Sequence, residues 1–293
     1  MSAGDPTAVA TAGPLAVVCG GGRLPIEVAR AAQRQGRRVV LLALRGSADP
    51  AAVAEFPHYW VGVGQFGHAC QHAKAEGCRD IVMIGSVLRP HVWDIRFDLF
   101  TLRMLPRIIR AFQSGDDHLL TNIAKLFEEQ GFRVLGAHQV APELLMPQGP
   151  LGRLKPGEGD RSDIARGLAL LRATGPFDVG QAVVISDNRV LAVEAAEGTD
   201  LMLERLAELR GNGRVRARQG GGVLVKAPKP SQDRRIDLPS IGPRTVEGVA
   251  RAGLAGIAVT AGSTIIAEPD RIAAVADRAN VFVVGVPADG PVP

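Results

Sequence analysis

The sequence is poor in aromatic residues and in cysteine. Only 4% of its 293 residues are Phe, Trp or Tyr, with a single Tyr, so a base-stacking surface for nucleic acid is not indicated. The three cysteines, Cys19, Cys70 and Cys78, are too few and too irregularly spaced for a disulfide framework or a zinc site. We therefore expect a cytoplasmic protein without a nucleic-acid partner.

Long apolar runs are also missing. None approaches the roughly 20 residues that a membrane span needs, and residues 1–13 lack the positive charge of a signal peptide, so we predict a disordered N-terminus there. The net charge of +4 is small and suits an anionic substrate or an anionic membrane surface. A lipid substrate would have to be met at the surface.

The composition and the order of apolar runs predict an α/β fold. With 46% hydrophobic and 22% charged residues, the chain can bury a sizeable core, and its length suggests two domains. Buried strands at Leu15–Cys19, Val39–Leu44 and Asp80–Ile84 alternate with helical patterns, which is typical of a parallel sheet covered on both faces. We predict a Rossmann-like N-terminal domain (14–135) and a separate C-terminal α/β catalytic domain (136–293).

Local signals predict several element ends. Pro106 should end or kink the helix that contains it, and residues 147–162, rich in Gly, Pro and charge, indicate a linker or long loop. Asp187-Asn188 is a hairpin signal between two apolar runs. Thr199 or Asp200 is predicted to cap the helix that follows.

Three glycines, Gly20, Gly21 and Gly22, follow the first strand and precede Arg23. Such a turn lets backbone N–H groups approach a phosphate at a helix N-terminus. The alternative is a tight turn that needs glycine for geometry alone. Arg89, beyond the end of the Asp80–Ile84 strand, is a second candidate for a phosphate contact, although a surface arginine would look the same.

A cluster of acids lies in VEAAEGTD, residues 193–200. Glu194, Glu197 and Asp200 are three carboxylates within seven residues, more than a helix cap requires. Acids near a strand end are suitable hard oxygen ligands for Mg²⁺.

The stretch from Val223 to Glu247, VLVKAPKPSQDRRIDLPSIGPRTVE, carries the strongest chemical signal. Proline has a fixed φ and no N–H, so the four prolines here predict an ordered loop rather than a helix or a central strand. Asp233 and Asp237 lie among Lys226, Lys229, Arg234, Arg235 and Arg244. Phosphate or diphosphate chemistry needs this mixture; the alternative is a solvated basic turn.

Taken together, these segments resemble one family, the UDP-2,3-diacylglucosamine pyrophosphatases of the LpxI type, from lipid A biosynthesis. The resemblance covers nearly the whole chain after residue 13 and rests on CGGGRLP (19–25), GSVLRP (85–90), GDDHLL (115–120), VEAAEGTD (193–200), KAPKPSQDRRIDLPSIG (226–242) and GLAGIAVTAGSTII (253–266). Within GSVLRP, Ser86 departs from the family pattern, in which a lysine is expected at this position.

The resemblance implies hydrolysis of UDP-2,3-diacylglucosamine to UMP and 2,3-diacylglucosamine 1-phosphate (lipid X) by a metal-dependent enzyme with its site between two domains. It also implies that Asp233 is the essential carboxylate. We expect Mg²⁺ or another divalent cation, held by Asp233, Glu194, Glu197 and Asp200. We expect substrate contacts from Gly20, Gly21, Gly22, Arg23, Arg89, Lys226, Lys229, Gln232 and Arg235. A homodimer is considered.

The segment 92–112 alternates apolar residues with arginines, among them Arg96 and Arg103. It predicts either an acyl-chain pocket with a membrane-facing surface or a helix packed on the sheet. On this basis we expect transient contact with the inner membrane. Two other functions stay open: a non-catalytic nucleotide-binding protein, from the glycine turn, and a peripheral membrane interaction protein, from this segment.

Overall fold

A computed structural model describes residues 13–87, 95–112, 116–177, 179–216, 220–229 and 233–288, with only the backbone of 107–112 and 116–119. Residues 1–12, in which the predicted disordered N-terminus falls, lie outside the described residues. The chain divides into two compact units, Met1–Pro142 with Asp233–Asp237, and Glu143–Gln232 with Leu238–Pro293.

The first unit is an α/β structure on a five-stranded sheet. Its strands are β1 (Leu15–Cys19), β2 (Val39–Leu44), β3 (His58–Val61), β4 (Asp80–Ile84) and β5 (Arg133–Leu135). Its helices are α1 (Leu24–Arg34), α2 (Pro50–Val53), α3 (Phe66–Ala75), α4 (Leu99–Phe112), α5 (Asp116–Glu129) and α6 (Ala137–Val140). The strand order is β3-β2-β1-β4-β5, and all neighbouring strands are parallel.

The strands β1 and β2 of this sheet are apolar along their whole length because both faces are covered, whereas the neighbouring β4 begins with the buried Asp80. Val40, Leu42 and Ile81 pack with Phe127 of α5 in a core of buried side chains. All five strands point the same way, so their carboxyl ends form one edge. The predicted α/β fold with a parallel N-terminal sheet is confirmed at this level.

The second unit has a separate, mixed sheet. Its strands are β6 (Gly149–Pro150), β7 (Ala182–Ser186), β8 (Arg189–Val193), β9 (Val223–Lys226), β10 (Ser240–Ile241), β11 (Gly256–Thr260), β12 (Ile265–Ile266) and β13 (Phe282–Val286). Its helices are α7 (Glu158–Thr174), α8 (Gly198–Gly211), α9 (Pro243–Arg251) and α10 (Pro269–Ala279). The strand order is β6-β13-β11-β9-β7-β8, with β10 and β12 as a small parallel pair.

Within the mixed sheet, β9, β11 and β13 are parallel. The strands β6 and β7 run antiparallel to β13 and β9, and β8 runs antiparallel to β7. Its core lies between this sheet and the helices, with Leu203 and Leu206 of α8 among the buried side chains. The predicted separate C-terminal α/β structure is therefore present.

Two predictions about element ends need revision. Pro106 does not end its helix, since α4 continues through it and packs on α3 and α5; the other predicted outcome, a kink at Pro106, stays a prediction. Part of the predicted linker 147–162 is regular: β6 pairs with β13, and α7 begins at Glu158, where the carboxylate of Asp160 accepts the Gly157 N–H at 2.9 Å.

Within the described ranges, no helix is both long enough and apolar enough to cross a membrane.

Candidate functional site

The glycine turn after β1 packs against the loop after β4, at the carboxyl end of the parallel sheet. The N–H of Gly20 donates to the carbonyl oxygen of Ile84 (2.9 Å), and that of Gly21 to the carbonyl oxygen of Ser86 (2.7 Å). A Cβ at Gly20 would lie 2.6 Å from the Ser86 oxygen, so only glycine permits this approach. Two of the three amides thus have protein partners, which supports the geometric alternative. Substrate contact at Gly20, Gly21 and Gly22 stays a prediction.

The turn leads into α1 through Gly22, whose φ of +89° is left-handed, and through Arg23 at the N-cap position. Arg23 is exposed and lies at the positive end of the helix dipole, where an anion is favoured. Two other residues predicted to contact substrate, Arg89 and Gln232, lie outside the described residues.

Asp233 begins a tight turn that belongs to the first unit. The backbone N–H groups of Ile236 and Asp237 donate to its carbonyl oxygen at 3.0 and 3.2 Å. The side chain of Ile236 packs against the hydrophobic core beside the parallel sheet. This apolar anchor holds the turn on that core. The predicted ordered loop stays a prediction as a whole, because its residues 230–232 lie outside the described part of the chain.

The carboxylate of Asp233 is held by Arg235. Its Oδ1 accepts the backbone N–H (3.0 Å) and Nε–H (3.1 Å) of Arg235, and its Oδ2 accepts from Nη2 (2.8 Å). Nη1 of the same guanidinium donates to Glu128 Oε1 at 2.8 Å. The hydrogen bonds from Arg235 lower the pKa of Asp233, so this carboxylate is ionised at neutral pH.

His138 lies beside this turn, and sequence reasoning missed it. A Cβ at Gly136 would lie 2.4 Å from His138 Cε1 and 2.9 Å from the Arg235 Cα, so Gly136 lets the ring and the turn meet. Burial, and then the charge of Arg234, lower the pKa of His138. The imidazole is therefore neutral at pH 7. Its Nδ1 is buried and has no hydrogen-bond partner in the described part of the chain.

In the second unit, Lys226, Thr199 and Glu194 form a hydrogen-bonded chain. Lys226 Nζ donates to Thr199 Oγ1 (3.0 Å) and to the Ser240 carbonyl oxygen (3.1 Å). Thr199 Oγ1 donates to Glu194 Oε1 (2.6 Å), and Glu194 Oε2 accepts the Gln181 N–H (2.8 Å). Lys226 and Glu194 are only 8% and 9% exposed. The structure thus brings two predicted site residues together through a hydroxyl.

Two family models match the chain. The LpxI N-terminal domain matches residues 14–144, and the LpxI C-terminal domain matches residues 147–284. The chain belongs to the LpxI family. This membership confirms the resemblance that the sequence segments indicated. The chain is also similar to "UDP-2,3-diacylglucosamine pyrophosphatase LpxI" of Caulobacter vibrioides, with 42% identity over 272 residues, which cover 93% of this chain and 97% of that relative.

In this LpxI family member, the acids of the second unit face different partners. Glu194 bonds to Thr199 and to a backbone amide, whereas Glu197 pairs with Arg205 at 2.8 Å and Asp200 with Arg244 at 3.1 Å. Among the described side chains, no three His, Cys, Asp or Glu residues form a group that could hold a metal. Metal binding by these acids stays a prediction.

The donor sets differ in how well they fit a metal. Glu194 and Asp233 each accept protein hydrogen bonds at both carboxylate oxygens, but Glu194 is only 9% exposed and has little room for the water and substrate oxygens that complete a metal's shell, so it fits poorly. Asp233 is ionised, and its side chain is 24% exposed. Mg²⁺ at phosphate sites often takes one or two carboxylates and completes its shell with substrate oxygens and water. Asp233 fits that requirement.

The predicted cap of α8 is wrong. Glu197 is at the N-cap position, while the Thr199 hydroxyl donates to Glu194 and the Asp200 carboxylate accepts from Arg244. Besides His138, sequence reasoning missed Glu128 and this function of Thr199. No local pattern marks them, because each has a partner that lies well outside its own segment: Arg235 is 107 residues from Glu128, and Lys226 is 27 residues from Thr199.

Proposed function

We propose that the chain is a hydrolase that cleaves the diphosphate of UDP-2,3-diacylglucosamine to UMP and 2,3-diacylglucosamine 1-phosphate. The observation that carries this proposal is the 42% identity, over 93% of the chain, to a relative named for that pyrophosphatase activity. Asp233 is the proposed essential carboxylate, and its ionised state and its hydrogen bonds to Arg235 support this assignment.

Hydrolysis adds the hydroxyl of water to one phosphorus, breaks that atom's bond to the bridging oxygen and releases a proton. The main barrier is the negative charge that collects on the phosphate oxygens. We propose Lys226, Lys229, Arg23 and Arg89 as cationic contacts to the substrate, with Gln232 as a polar one.

Asp233 is better suited to orient water or hold a cation than to take a proton. A carboxylate whose pKa lies below its usual range is a weak base at neutral pH, but it remains a hard oxygen ligand. Arg235 keeps it ionised and fixes both oxygens, which supports a positioning function for Arg235. When bound, a divalent cation would neutralise charge on the phosphate oxygens.

We also propose that the parallel sheet is Rossmann-like and receives the uridine nucleotide at its carboxyl edge. The strand order β3-β2-β1-β4-β5 and the glycine turn after β1 support this, since nucleotides bind at that edge in such folds. Gly20, Gly21 and Gly22 would then border the nucleotide. A homodimer stays a prediction.

Transient contact with the inner membrane is a further proposal, because the substrate carries two acyl chains. Phe97, Leu99 and Leu102 near the start of α4 are exposed, and Arg96 and Arg103 beside them are exposed as well. Exposed apolar residues flanked by arginines suit an anionic lipid surface. Phe100, in contrast, stacks on Phe66 at 5.7 Å, so part of the segment packs inward.

Product formation tests the catalytic proposal. Purified protein, UDP-2,3-diacylglucosamine and Mg²⁺ should yield UMP and the lipid monophosphate in equal amounts. Chelation with EDTA should abolish turnover, and added Mg²⁺ should restore it. Nucleotide binding without any product would instead favour the non-catalytic nucleotide-binding alternative, and full turnover in EDTA would contradict the metal requirement alone.

A further inference from the structure

The hydrogen bonds among Lys226, Thr199 and Glu194 have only one direction. An ammonium group can only donate, so Thr199 Oγ1 accepts from Lys226 Nζ at 3.0 Å. A hydroxyl has a single proton, which must then go to Glu194 Oε1, 2.6 Å away. Glu194 Oε2 accepts the Gln181 N–H at 2.8 Å. Both oxygens of Glu194 are therefore acceptors, as expected of an ionised carboxylate.

This arrangement compensates a buried charge. A lysine that is 8% exposed requires compensation, since an isolated ammonium in a protein interior is costly. Glu194 supplies the opposite charge through the Thr199 hydroxyl. Gly180 leaves room for it, because a Cβ there would lie 2.6 Å from Glu194 Cγ.

Helix formation does not explain Thr199. The residue lies one position after the start of α8, and Glu197 is at its N-cap position. The Thr199 hydroxyl donates to Glu194 instead of serving the predicted cap. Valine has nearly the same volume and would fill the position equally well, except that it lacks the hydroxyl. The identity of residue 199 is thus tied to Lys226 and Glu194.

The hydrogen-bonded series from Glu194 through Thr199 ends at Lys226, in a position where anions are favoured. Lys226 is the last residue of β9, which is parallel to β11, and ligands of α/β sheets bind at the carboxyl ends of such strands. The first turn of the 14-residue helix α8 holds Thr199, so the positive end of the helix dipole adds to the charge of Lys226.

We infer that Thr199 and Glu194 are positioning residues that fix the Lys226 ammonium for a substrate phosphate, and that Glu194 is not a metal ligand. This inference rests on the proposed function, which assigns Lys226 to the diphosphate. The inference assigns different functions to Glu194 and Asp233, whereas the sequence analysis expected both residues to bind the same metal.

Three variants test the inference: Thr199→Val, Thr199→Ser and Glu194→Gln. A hydrogen bond to a charged group is worth a factor of roughly 10 to 100 in binding. We expect Thr199→Val to raise KM by about that factor with a smaller change in kcat, and to raise the Kd of UDP by titration. Thr199→Ser should restore most of both. Half-saturation by Mg²⁺ should stay unchanged in all three.

Thr174→Val is the matched control, because the Thr174 hydroxyl bonds only to carbonyl oxygens of its own helix among the described contacts. It should bind UDP and turn over substrate like the original chain. Thermal melts check that each variant folds. Thr199→Val and Glu194→Gln interrupt the same series of hydrogen bonds. The KM and the Kd of UDP of the double variant should therefore be no higher than those of the more affected single variant.

Two results would overturn the inference. One is a folded Thr199→Val variant with unchanged Kd for UDP and unchanged KM. The other is a rise in the Mg²⁺ half-saturation of Glu194→Gln that Thr199→Val does not share, which would make Glu194 a metal ligand. Failure of the proposed function would appear differently, as absence of UMP release by the unsubstituted chain, and the UDP titration would still decide the inference.

Discussion

At the scale of single residues, burial decides what an ion pair contributes. Asp80 at the start of β4 accepts from Arg37 Nη2 at 2.7 Å, and both side chains are at most 7% exposed. Arg133 adds a bond of 2.8 Å. Burial acts to raise the pKa of Asp80, but the hydrogen bonds from the two arginines outweigh it, and the pKa lies below its ordinary value.

Asp80→Asn should therefore lower the free energy of unfolding by about 3–5 kcal/mol, because it leaves the buried Arg37 without its counter-charge. Glu55→Gln is the control: it breaks the Arg30–Glu55 pair, also 2.7 Å long but 42% and 52% exposed, and should cost less than about 1 kcal/mol. Urea denaturation measures both. Equal effects would contradict the importance of burial.

The same carboxylate predicts a pH dependence of stability. Its folded pKa lies below the unfolded value of about 3.9, so its contribution is fully present above that pH. The contribution is lost as the pH falls through the folded pKa. The free energies of unfolding of the unsubstituted chain and of Asp80→Asn, measured as a function of pH, should therefore converge as the pH falls through the folded pKa of Asp80.

At the scale of elements, turn signals in the sequence were reliable where they were local. Asp187 and Asn188 have φ of +50° and +60° and join β7 to β8, as the hairpin prediction required. The sequence could not show that the Asp163 carboxylate of α7 accepts both their N–H groups, at 3.1 and 2.7 Å. That partner lies 24 residues away from the turn.

The start of α4 is likewise held by a hydrogen bond to a residue that is distant in sequence. Asp98 Oδ1 accepts the Thr101 N–H (2.7 Å) of α4, and Asp98 Oδ2 accepts the His68 N–H (2.9 Å) of α3. Burial acts to raise the pKa of Asp98, but these bonds outweigh it and the pKa is lowered. One carboxylate thus joins two helix N-termini, which holds the exposed Leu99 and Leu102 on a fixed element.

The membrane proposal belongs to this element. Leu99 and Leu102 are 66% and 53% exposed, so replacing both by serine should not disturb the core. We expect the double variant Leu99→Ser with Leu102→Ser to bind phosphatidylglycerol vesicles roughly tenfold more weakly, because binding scales with buried apolar area. Sedimentation with vesicles measures this, and added salt should weaken binding by the unsubstituted chain.

Phe177→Ser is the control for that experiment, because Phe177 is an apolar side chain, 79% exposed, in the second unit. It should bind vesicles as the unsubstituted chain does. If the double serine variant also binds without loss, α4 is not the membrane contact.

At the scale of the whole molecule, the loop that stood out in the sequence is divided between the two units. Lys226 belongs to the second unit, whereas Asp233–Asp237 belongs to the first. Local patterns predicted the loop and its charges. They could not predict this division, since Ile236 packs on a core built from residues between Ala16 and Val134, more than a hundred positions earlier along the chain.

In the candidate site, too, local patterns predicted the individual residues but not their distant neighbours. Residue types and the family resemblance led to Asp233, Lys226 and Glu194 without any structure. The neighbours that define their chemistry, His138 at Asp233 and Thr199 at Lys226, are visible only once the chain has folded. Periodicity reports which face of an element is buried, not which distant side chain it meets.

The most direct test of the central claim is the kcat for UMP release from UDP-2,3-diacylglucosamine by Asp233→Asn, beside Asp237→Asn from the same turn. Asp233→Asn keeps size but removes the charge that would hold a cation and orient the attacking water, so we predict a fall in kcat of roughly a hundredfold to a thousandfold, with UDP still bound. Asp237→Asn should retain most activity. Full turnover by a folded Asp233→Asn variant would contradict the account.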